Sequence, residues 1–188
     1  TKNRRVDRLS WANPPVTDLG HCPRARGGAV TQDLAMLRLR DAWQQCERHR
    51  HHLKHALTAL SPGLPVTAAA IAKLDDETVQ DWDQFLLRFT KWQDAMGTRL
   101  FPATLAYLQE PYDDRPMLDK LHRLEQLGLL SSVADWPCVR AIRNHFAHDY
   151  PEDDALKAAY LNDAVAAVQT LSNIFDRFRP IIAKAMSA

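Results

Sequence analysis

Cysteine is scarce in this chain, which has only three in 188 residues, at positions 22, 46 and 138. They are too few and too scattered for a disulfide framework, and none forms a CxxC pair, so the pattern fits a reducing cytoplasm. An excess of one charge is also missing, because 24 Lys and Arg residues oppose 23 Asp and Glu residues. A basic field over the whole molecule is therefore excluded, and any site for a polyanion has to be a local patch.

Long apolar runs are missing as well. No stretch approaches the ~18 uninterrupted apolar residues of a membrane-spanning helix, and no charged start followed by an apolar run resembles a signal peptide. No segment alternates apolar and polar residues between tight hairpin turns, which argues against a sheet. We therefore expect a soluble cytoplasmic protein that is built from helices and makes no membrane contact.

Residues 1–30 combine prolines, glycines and arginines without a sustained apolar period. This composition predicts a loose N-terminal arm, with little packing of its own or disordered. The chain opens with Thr rather than Met, which also fits a segment derived from an expression vector or an upstream extension. We expect one helical domain over residues 31–188.

Apolar residues at helical spacing predict an all-α bundle of four or five helices in that domain. The predicted spans, in chain order, are Thr31 to Pro62-Gly63, Asp75-Asp76 to a kink or end at Pro102, Met117 to Leu130 with a stop near Gly128, Ser131 or Ser132 through the motif that begins at Arg143, and Glu152-Asp153-Asp154 to Pro180. A short linking segment, Thr67 to Lys73, joins the first two helices.

The most informative stretch is Arg143-Asn144-His145-Phe146-Ala147-His148-Asp149-Tyr150-Pro151, at the end of the predicted fourth helix. It crowds an arginine, an amide, two imidazoles and a tyrosine together. Cleavage of a phosphodiester needs a cation for charge developing on phosphorus and a group that moves a proton near neutral pH. A guanidinium beside an imidazole supplies both, so the stretch points to phosphodiester chemistry.

Helical spacing at about 100° per residue separates the predicted fourth helix into two sides. The apolar side consists of Val139, Ile142 and Phe146. The opposite side carries a polar stripe of Arg140, Asn144 and His148, flanked by Arg143. A helix packed through its apolar side would hold the polar groups in place, as a preorganised site requires.

Arg143 and His148 are five residues apart and point about 140° away from each other on an ideal helix. One copy of the chain therefore does not bring them onto one face. Two arrangements resolve the difficulty. Either the helix unwinds near Asp149-Tyr150-Pro151, or a symmetric partner supplies a second Arg/His pair across a cleft.

The pattern Arg143-Asn144-x-x-x-His148-x-Tyr150 resembles the RNxxxHxY motif of the HEPN domain, and specifically of HepT, the toxin of HEPN/MNT toxin–antitoxin pairs. The similarity is tight over Trp136 to Pro151 and is supported by the helix pattern over about residues 31 to 187. The resemblance implies an antiparallel four- to five-helix bundle that homodimerises and places both motifs along a shared cleft. It also implies a metal-independent ribonuclease that needs no cofactor.

On matching positions, the resemblance implies three catalytic roles. His148 would move a proton to or from the ribose 2′-hydroxyl or the leaving oxygen, Arg143 would stabilise the charged phosphorane, and Asn144 would orient them. Attack by the 2′-hydroxyl would leave a cyclic phosphate, so no metal is required. The expected substrate is RNA, either tRNA or mRNA.

Tyr150 matches the family tyrosine that the nucleotidyltransferase antitoxin, MntA, modifies by AMPylation. The ATP and Mg²⁺ for that reaction would belong to the antitoxin. A bulky anionic adduct two residues from the imidazole would obstruct the cleft and repel RNA phosphates. The basic arm and the segment from Pro102 to Pro116 depart from a compact family member, which affects oligomer geometry more than chemistry.

Plainer interpretations of the same residues lead to a different class of function. Basic residues are favoured at the C-terminal end of a helix in any case, which makes Arg143 and His148 a solvated helix end. The protein would then be a non-catalytic helical adaptor that binds a nucleotidyltransferase or its substrate. Arg140 in the stripe and His145 near it either contact RNA phosphate or are simply solvated.

A second cluster lies on the predicted first helix and consists of Cys46, His49, His51, His52 and His55. His51 and His55 are four apart on one face, a separation compatible with two metal ligands. No HExxH-type carboxylate accompanies them and a third ligand would have to come from elsewhere, so we predict no metal. A metal site, a patch that contacts a polyanion and a plain solvated face remain the three interpretations.

Overall fold

The computed structural model describes the backbone of residues 26–148 and 152–187, and the side chains of 31–146 and 152–187. Within these ranges the chain forms helices, turns and loops without a strand, as expected from the sequence. The helices are α1 (Arg26–Leu60), α2 (Ala68–Ile71), α3 (Asp76–Ala95), α4 (Phe101–Tyr107), α5 (Met117–Gln126), α6 (Asp135–His148), α7 (Asp154–Asp176) and α8 (Arg179–Ser187). None of these helices is long and apolar enough to cross a membrane.

Two helix starts lie where the sequence signals placed them. Asp75 Oδ1 accepts a hydrogen bond from the Thr78 amide at 2.9 Å, and Asp153 Oδ1 accepts one from the Leu156 amide at 2.9 Å. A side-chain oxygen at this position satisfies an amide that has no partner within the helix. At the other kind of boundary, Gly128 follows α5 with a φ of +74°, a left-handed conformation that glycine adopts without strain.

Two prolines near predicted helix ends, Pro102 and Pro180, lie instead in the first turns of helices. A π turn at Met96–Leu100 follows α3 and places Pro102 in the first turn of α4, so the chain stays helical beyond it. Pro180 likewise lies in the first turn of α8, while α7 already ends at Asp176. Proline is tolerated there because the amides of the first turn have no acceptor within the helix, so the amide hydrogen that proline lacks is not needed. The sequence pattern therefore missed α8.

The long helices pack antiparallel. Near the start of α1, Gln32 Nε2 donates to the Tyr107 carbonyl at the end of α4, at 3.1 Å. Further along α1, Asp41 Oδ2 lies 3.9 Å from Arg99 Nη1 in the π turn. The α1 helix and the continuous α3–π–α4 rod therefore run in opposite directions.

The C-terminal helices cover the other side of α1. Arg50 Nη1 donates to Asp176 Oδ1 at 2.6 Å, and Arg40 Nε donates to the Ala185 carbonyl at 2.8 Å. Because residue numbers fall along α1 as they rise from α7 to α8, this packing is antiparallel as well.

Large aromatic side chains fill the centre of the bundle. Six of them are fully buried: Phe85, Phe89, Trp92, Phe101, Phe175 and Phe178. Burial of each such ring contributes about 1.5–3 kcal/mol. Trp43 of α1 stacks on Phe175 of α7 with ring centroids 4.1 Å apart, and Phe101 of α4 lies 4.6 Å from Trp136. The last contact fixes the start of α6, the helix that carries the RNxxxH part of the motif.

Candidate active site

A close contact with the π turn positions α6. A Cβ atom at Gly97 would lie 2.8 Å from Cζ2 of Trp136, a separation that real Cβ atoms essentially never show. Trp136 is buried, and its ring packs directly on the backbone of the π turn. The absent side chain at position 97 thus lets α6 approach the end of α3 closely enough for polar side chains of the two helices to meet.

The two sides of α6 are arranged as helical spacing predicts. Val139 is buried, and Ile142 and Phe146 pack against the core. Arg140 and Asn144 are exposed on the other side. The packed side holds the helix, so the polar residues are displayed from a rigid support.

Arg143 is held by two partners. Its Nη2 donates to both carboxylate oxygens of Asp94 on α3, at 3.0 Å each, and its Nη1 donates to Asn144 Oδ1 at 3.1 Å. Hydrogen bonds between charged groups are roughly twice as strong as neutral ones. The side chain is 27% exposed, so the guanidinium is partly withdrawn from solvent. It is therefore fixed in one orientation rather than free at a helix end.

The Nε atom of Arg143 is buried and has no hydrogen-bond partner. A buried donor without a partner costs about 1–3 kcal/mol. The remaining hydrogen-bonding capacity of the side chain lies on its Nη atoms. An anion that approaches Arg143 thus meets the Nη edge that Asp94 and Asn144 orient.

Arg143 borders a surface cleft of about 320 Å³, at the lower end of the range for small-molecule pockets. The residues around it are Gln93, Asp94, Gly97, Thr98, Met117, Trp136, Arg140 and Arg143. Two guanidinium groups and one carboxylate give this cleft a net positive charge. It accommodates a phosphate group more readily than a cation.

His145 lies on a different part of α6. Its ring stacks on Tyr160 of α7 with centroids 4.2 Å apart and planes 18° from parallel. The residue is exposed, so the other face of the imidazole is open to solvent. Of the two residues suggested as RNA contacts, Arg140 therefore lines the cleft with Arg143, whereas His145 contacts α7.

The backbone of α6 remains helical through His148. Positions 143 and 148 thus keep the separation of about 140° around the axis that an ideal helix gives. The side chain of His148 lies outside the described residues, as do Tyr150 and the stretch 149–151 where unwinding is predicted. Up to position 148, the structure does not bring the two positions onto one face.

The second cluster is divided by the packing of α1. Cys46 is fully buried, and burial, with a smaller effect of the Glu47 charge, raises the pKa of its thiol to about 12. A neutral thiol is not a metal ligand. His51, His52 and His55 are exposed, whereas His49 is partly buried. Among the described residues, no three His, Cys, Asp or Glu side chains are grouped so that they could hold a metal ion.

Asp94 is the member of the site that sequence reasoning missed. It lies 49 residues before Arg143, and nothing in its surroundings on α3 marks it as different from other exposed acidic residues. Gly97 was missed for a similar reason, since its role depends on the ring that packs on it. No protein-family model, curated protein or solved structure matches this chain.

Proposed function

We propose that the protein is a HEPN-type, metal-independent endoribonuclease, the toxin of a HEPN/MNT pair, acting on tRNA or mRNA in the cytoplasm. The observation that supports this most directly is the fixed guanidinium of Arg143 beside a positive cleft, with Asn144 hydrogen-bonded to it and His148 five positions further along the same helix. An arginine that is only solvated at a helix end is not expected to be held by two side chains. An arginine that binds a phosphate in a defined orientation has to be held in this way.

The proposed reaction is a transesterification. His148 takes the proton of the ribose 2′-hydroxyl, and the oxygen attacks the adjacent phosphorus. Arg143 stabilises the negative charge of the phosphorane through its Nη atoms, while Asn144 keeps the guanidinium oriented. The bond between phosphorus and the 5′-oxygen breaks, that oxygen takes up the proton that His148 received, and a 2′,3′-cyclic phosphate remains.

A homodimer completes the site in this proposal. Since α6 is helical through His148, positions 143 and 148 of one subunit lie about 140° apart around the helix axis. A two-fold axis that brings two α6 helices together places Arg143 of one subunit opposite His148 of its partner. The cleft beside Arg143 then becomes half of a larger groove that the two copies share.

Silencing is assigned to a cognate MNT-family nucleotidyltransferase, an MntA-like antitoxin that transfers AMP from ATP, with its own Mg²⁺, to the hydroxyl of Tyr150. The bond between the α- and β-phosphates breaks and pyrophosphate leaves. An added phosphate two positions after His148 brings negative charge to the place where RNA phosphate has to bind.

Cleavage of a labelled RNA by the purified chain in the presence of EDTA tests the activity. Arg143→Ala and His148→Ala should each reduce the rate by at least about 10²-fold, and Arg143→Lys should fail as well because an ammonium cannot replace a planar fork. Arg115→Ala, an exposed arginine in the loop before α5, is the control and should cut like the wild type. Equal cutting by all variants, or no cutting by any, would leave the non-catalytic adaptor as the better description.

A further inference from the structure

The packing of α1 against α3 brings cationic side chains of both helices together. The resulting cluster includes two histidines of the group that the sequence showed on α1. We call it the basic seam; it consists of Arg48, His49 and His52 of α1 and Arg88 and Lys91 of α3. Gln32 lies opposite Tyr107 and Asp41 opposite Arg99, so the antiparallel register of the two rods puts His49 and His52 of α1 at the level of Lys91 and Arg88 of α3. Burial, and then the charges of Arg88, Arg48, Lys91 and His52, lower the pKa of His49, which agrees with this placement. Arg88 and Lys91 of α3, which the histidine pattern of α1 does not reveal, therefore extend the cluster.

No carboxylate neutralises the seam within the described part of the chain. Arg48, Arg88 and Lys91 form no ion pair there, whereas the nearby Glu47 pairs with Arg50 and Arg179. Cations held close together without counter-charges repel each other and destabilise the fold. A chain with a formal charge of only +1 has enough carboxylates to neutralise such a group, so the uncompensated arrangement is a local feature.

Two polar atoms in the seam are also left without partners. Arg88 Nε and His49 Nδ1 are buried and make no hydrogen bond. These two atoms are shielded from an external ligand, so an anion at the seam would be met by the exposed side chains of Arg48 and Lys91. The uncompensated positive charge of the seam is what such an anion would neutralise.

The seam adjoins the candidate active site. Lys91 lies one helical turn before Asp94 on α3, and Asp94 holds Arg143. A strand lying over Lys91 is therefore led toward the cleft beside Arg143.

We propose that the basic seam is a docking surface for the phosphate backbone of single-stranded RNA, and that it guides the strand into the cleft. This proposal rests on the proposed function in that the docked strand is the one to be cut. RNA is favoured over an anionic membrane because two of the exposed side chains in and beside the seam are aromatic rings. His51 and His52 are exposed and meet edge to face at 5.3 Å, and imidazole faces stack on unpaired bases.

The test measures binding apart from cleavage. A fluorescent 2′-O-methyl RNA oligonucleotide has no free 2′-hydroxyl and cannot be cut, so anisotropy with the full chain reports binding alone. The double variant Arg48→Ala/Lys91→Ala, at two exposed positions, should bind at least about tenfold more weakly at low salt. For this variant, the slope of the logarithm of the binding constant against the logarithm of the salt concentration should be shallower by about 1.4, because each lost phosphate contact removes roughly 0.7 from the slope.

The control is Arg115→Ala/Lys73→Ala, which removes the same two charges from exposed positions outside the seam and should bind within twofold of the wild type. Equal losses in both double variants, no loss in the seam variant, no RNA binding by the wild type, or binding to phosphatidylserine vesicles in place of RNA would each overturn the proposal. RNA binding through the seam without any cleavage of unmodified RNA would contradict the proposed function and leave the docking surface standing.

Discussion

Asp94 determines how Arg143 meets a phosphate. A carboxylate next to a guanidinium reduces the net positive charge of the cleft, yet it also fixes the direction in which the Nη atoms point. The pair is partly exposed, 27% and 38% for the two side chains, so it contributes only about 0–1 kcal/mol to stability. Its effect is therefore expected on catalysis rather than on folding, which makes Asp94 a positioning residue in the proposed reaction.

Asp94→Ala should lower kcat for RNA cleavage about 10- to 100-fold, because a misoriented guanidinium stabilises the phosphorane poorly. KM should not rise, since the cleft loses a negative charge, and Asp94→Glu should restore part of kcat. Steady-state kinetics on one RNA separate the two parameters. The control is Glu110→Ala, which removes the carboxylate from the comparable pair with Arg123 and should leave kcat unchanged. A rise in KM with kcat intact would contradict a positioning role.

Cys46 should be inert to thiol reagents in the folded protein. Its thiol pKa of about 12 lies well above the ordinary 9.0, so at pH 8 almost no thiolate is present, whereas Cys138 is exposed. Iodoacetamide at pH 8 followed by peptide mass spectrometry should find Cys138 modified and Cys46 unmodified until denaturant is added.

The same shift fixes the sign of a pH effect on stability. Above about pH 9 the unfolded chain loses the Cys46 proton, whereas the folded state retains it. The contribution of Cys46 to the free energy of unfolding is therefore complete below about pH 9 and declines as the pH rises toward 12. Rapid alkylation of Cys46 under native conditions would show that α1 does not exclude solvent at this position.

Helix α6 depends on the glycine of the π turn. Gly97→Ala places a Cβ 2.8 Å from the Trp136 ring, and since the ring also packs on Phe101 it has little room to move. We expect a loss of about 1–3 kcal/mol in the free energy of unfolding, as for other overpacked cores, despite the better helix propensity of alanine. Urea denaturation measures it.

Gly63 offers a matched control for that substitution. A Cβ at Gly63 has nothing within 4 Å, so Gly63→Ala should leave stability unchanged or raise it by about 0.4–1 kcal/mol through the unfolded state. Similar stabilities for the two alanine variants would contradict the role given to the close contact between Gly97 and Trp136.

Signals within one helix were sufficient to predict much of the secondary structure. The caps at Asp75 and Asp153 and the apolar side of α6 follow from residues a few positions apart, which is the range over which side chains act on their own helix. The continuation past Pro102 depends instead on the π turn before it. The partnership of Asp94 with Arg143 depends on how α6 packs on α3, and no periodicity within either helix encodes a choice of partner across 49 residues.

At the scale of the whole molecule, the sequence leaves two ways in which positions 143 and 148 could act on one phosphate. In the proposed reaction, a helix that persists through His148 favours a second copy of the chain as the source of the missing group. In that arrangement each dimer has two composite sites, each with Arg143 from one subunit and His148 from the other. A site within one subunit would instead need residues 149–151 to redirect His148.

Mixing inactive variants distinguishes the two arrangements. Arg143→Ala and His148→Ala homodimers each lack one group at both sites, whether the sites are composite or not. When the two chains are unfolded together and refolded, half of the dimers pair one of each. If the sites are composite, such a heterodimer carries one complete site, so the mixture should recover about a quarter of wild-type RNA cleavage. Each variant refolded alone is the control and should stay inactive. If every site lies within one subunit, each chain of the heterodimer lacks a group and no activity returns. That result, or a monomeric chain by analytical ultracentrifugation, would contradict the shared site.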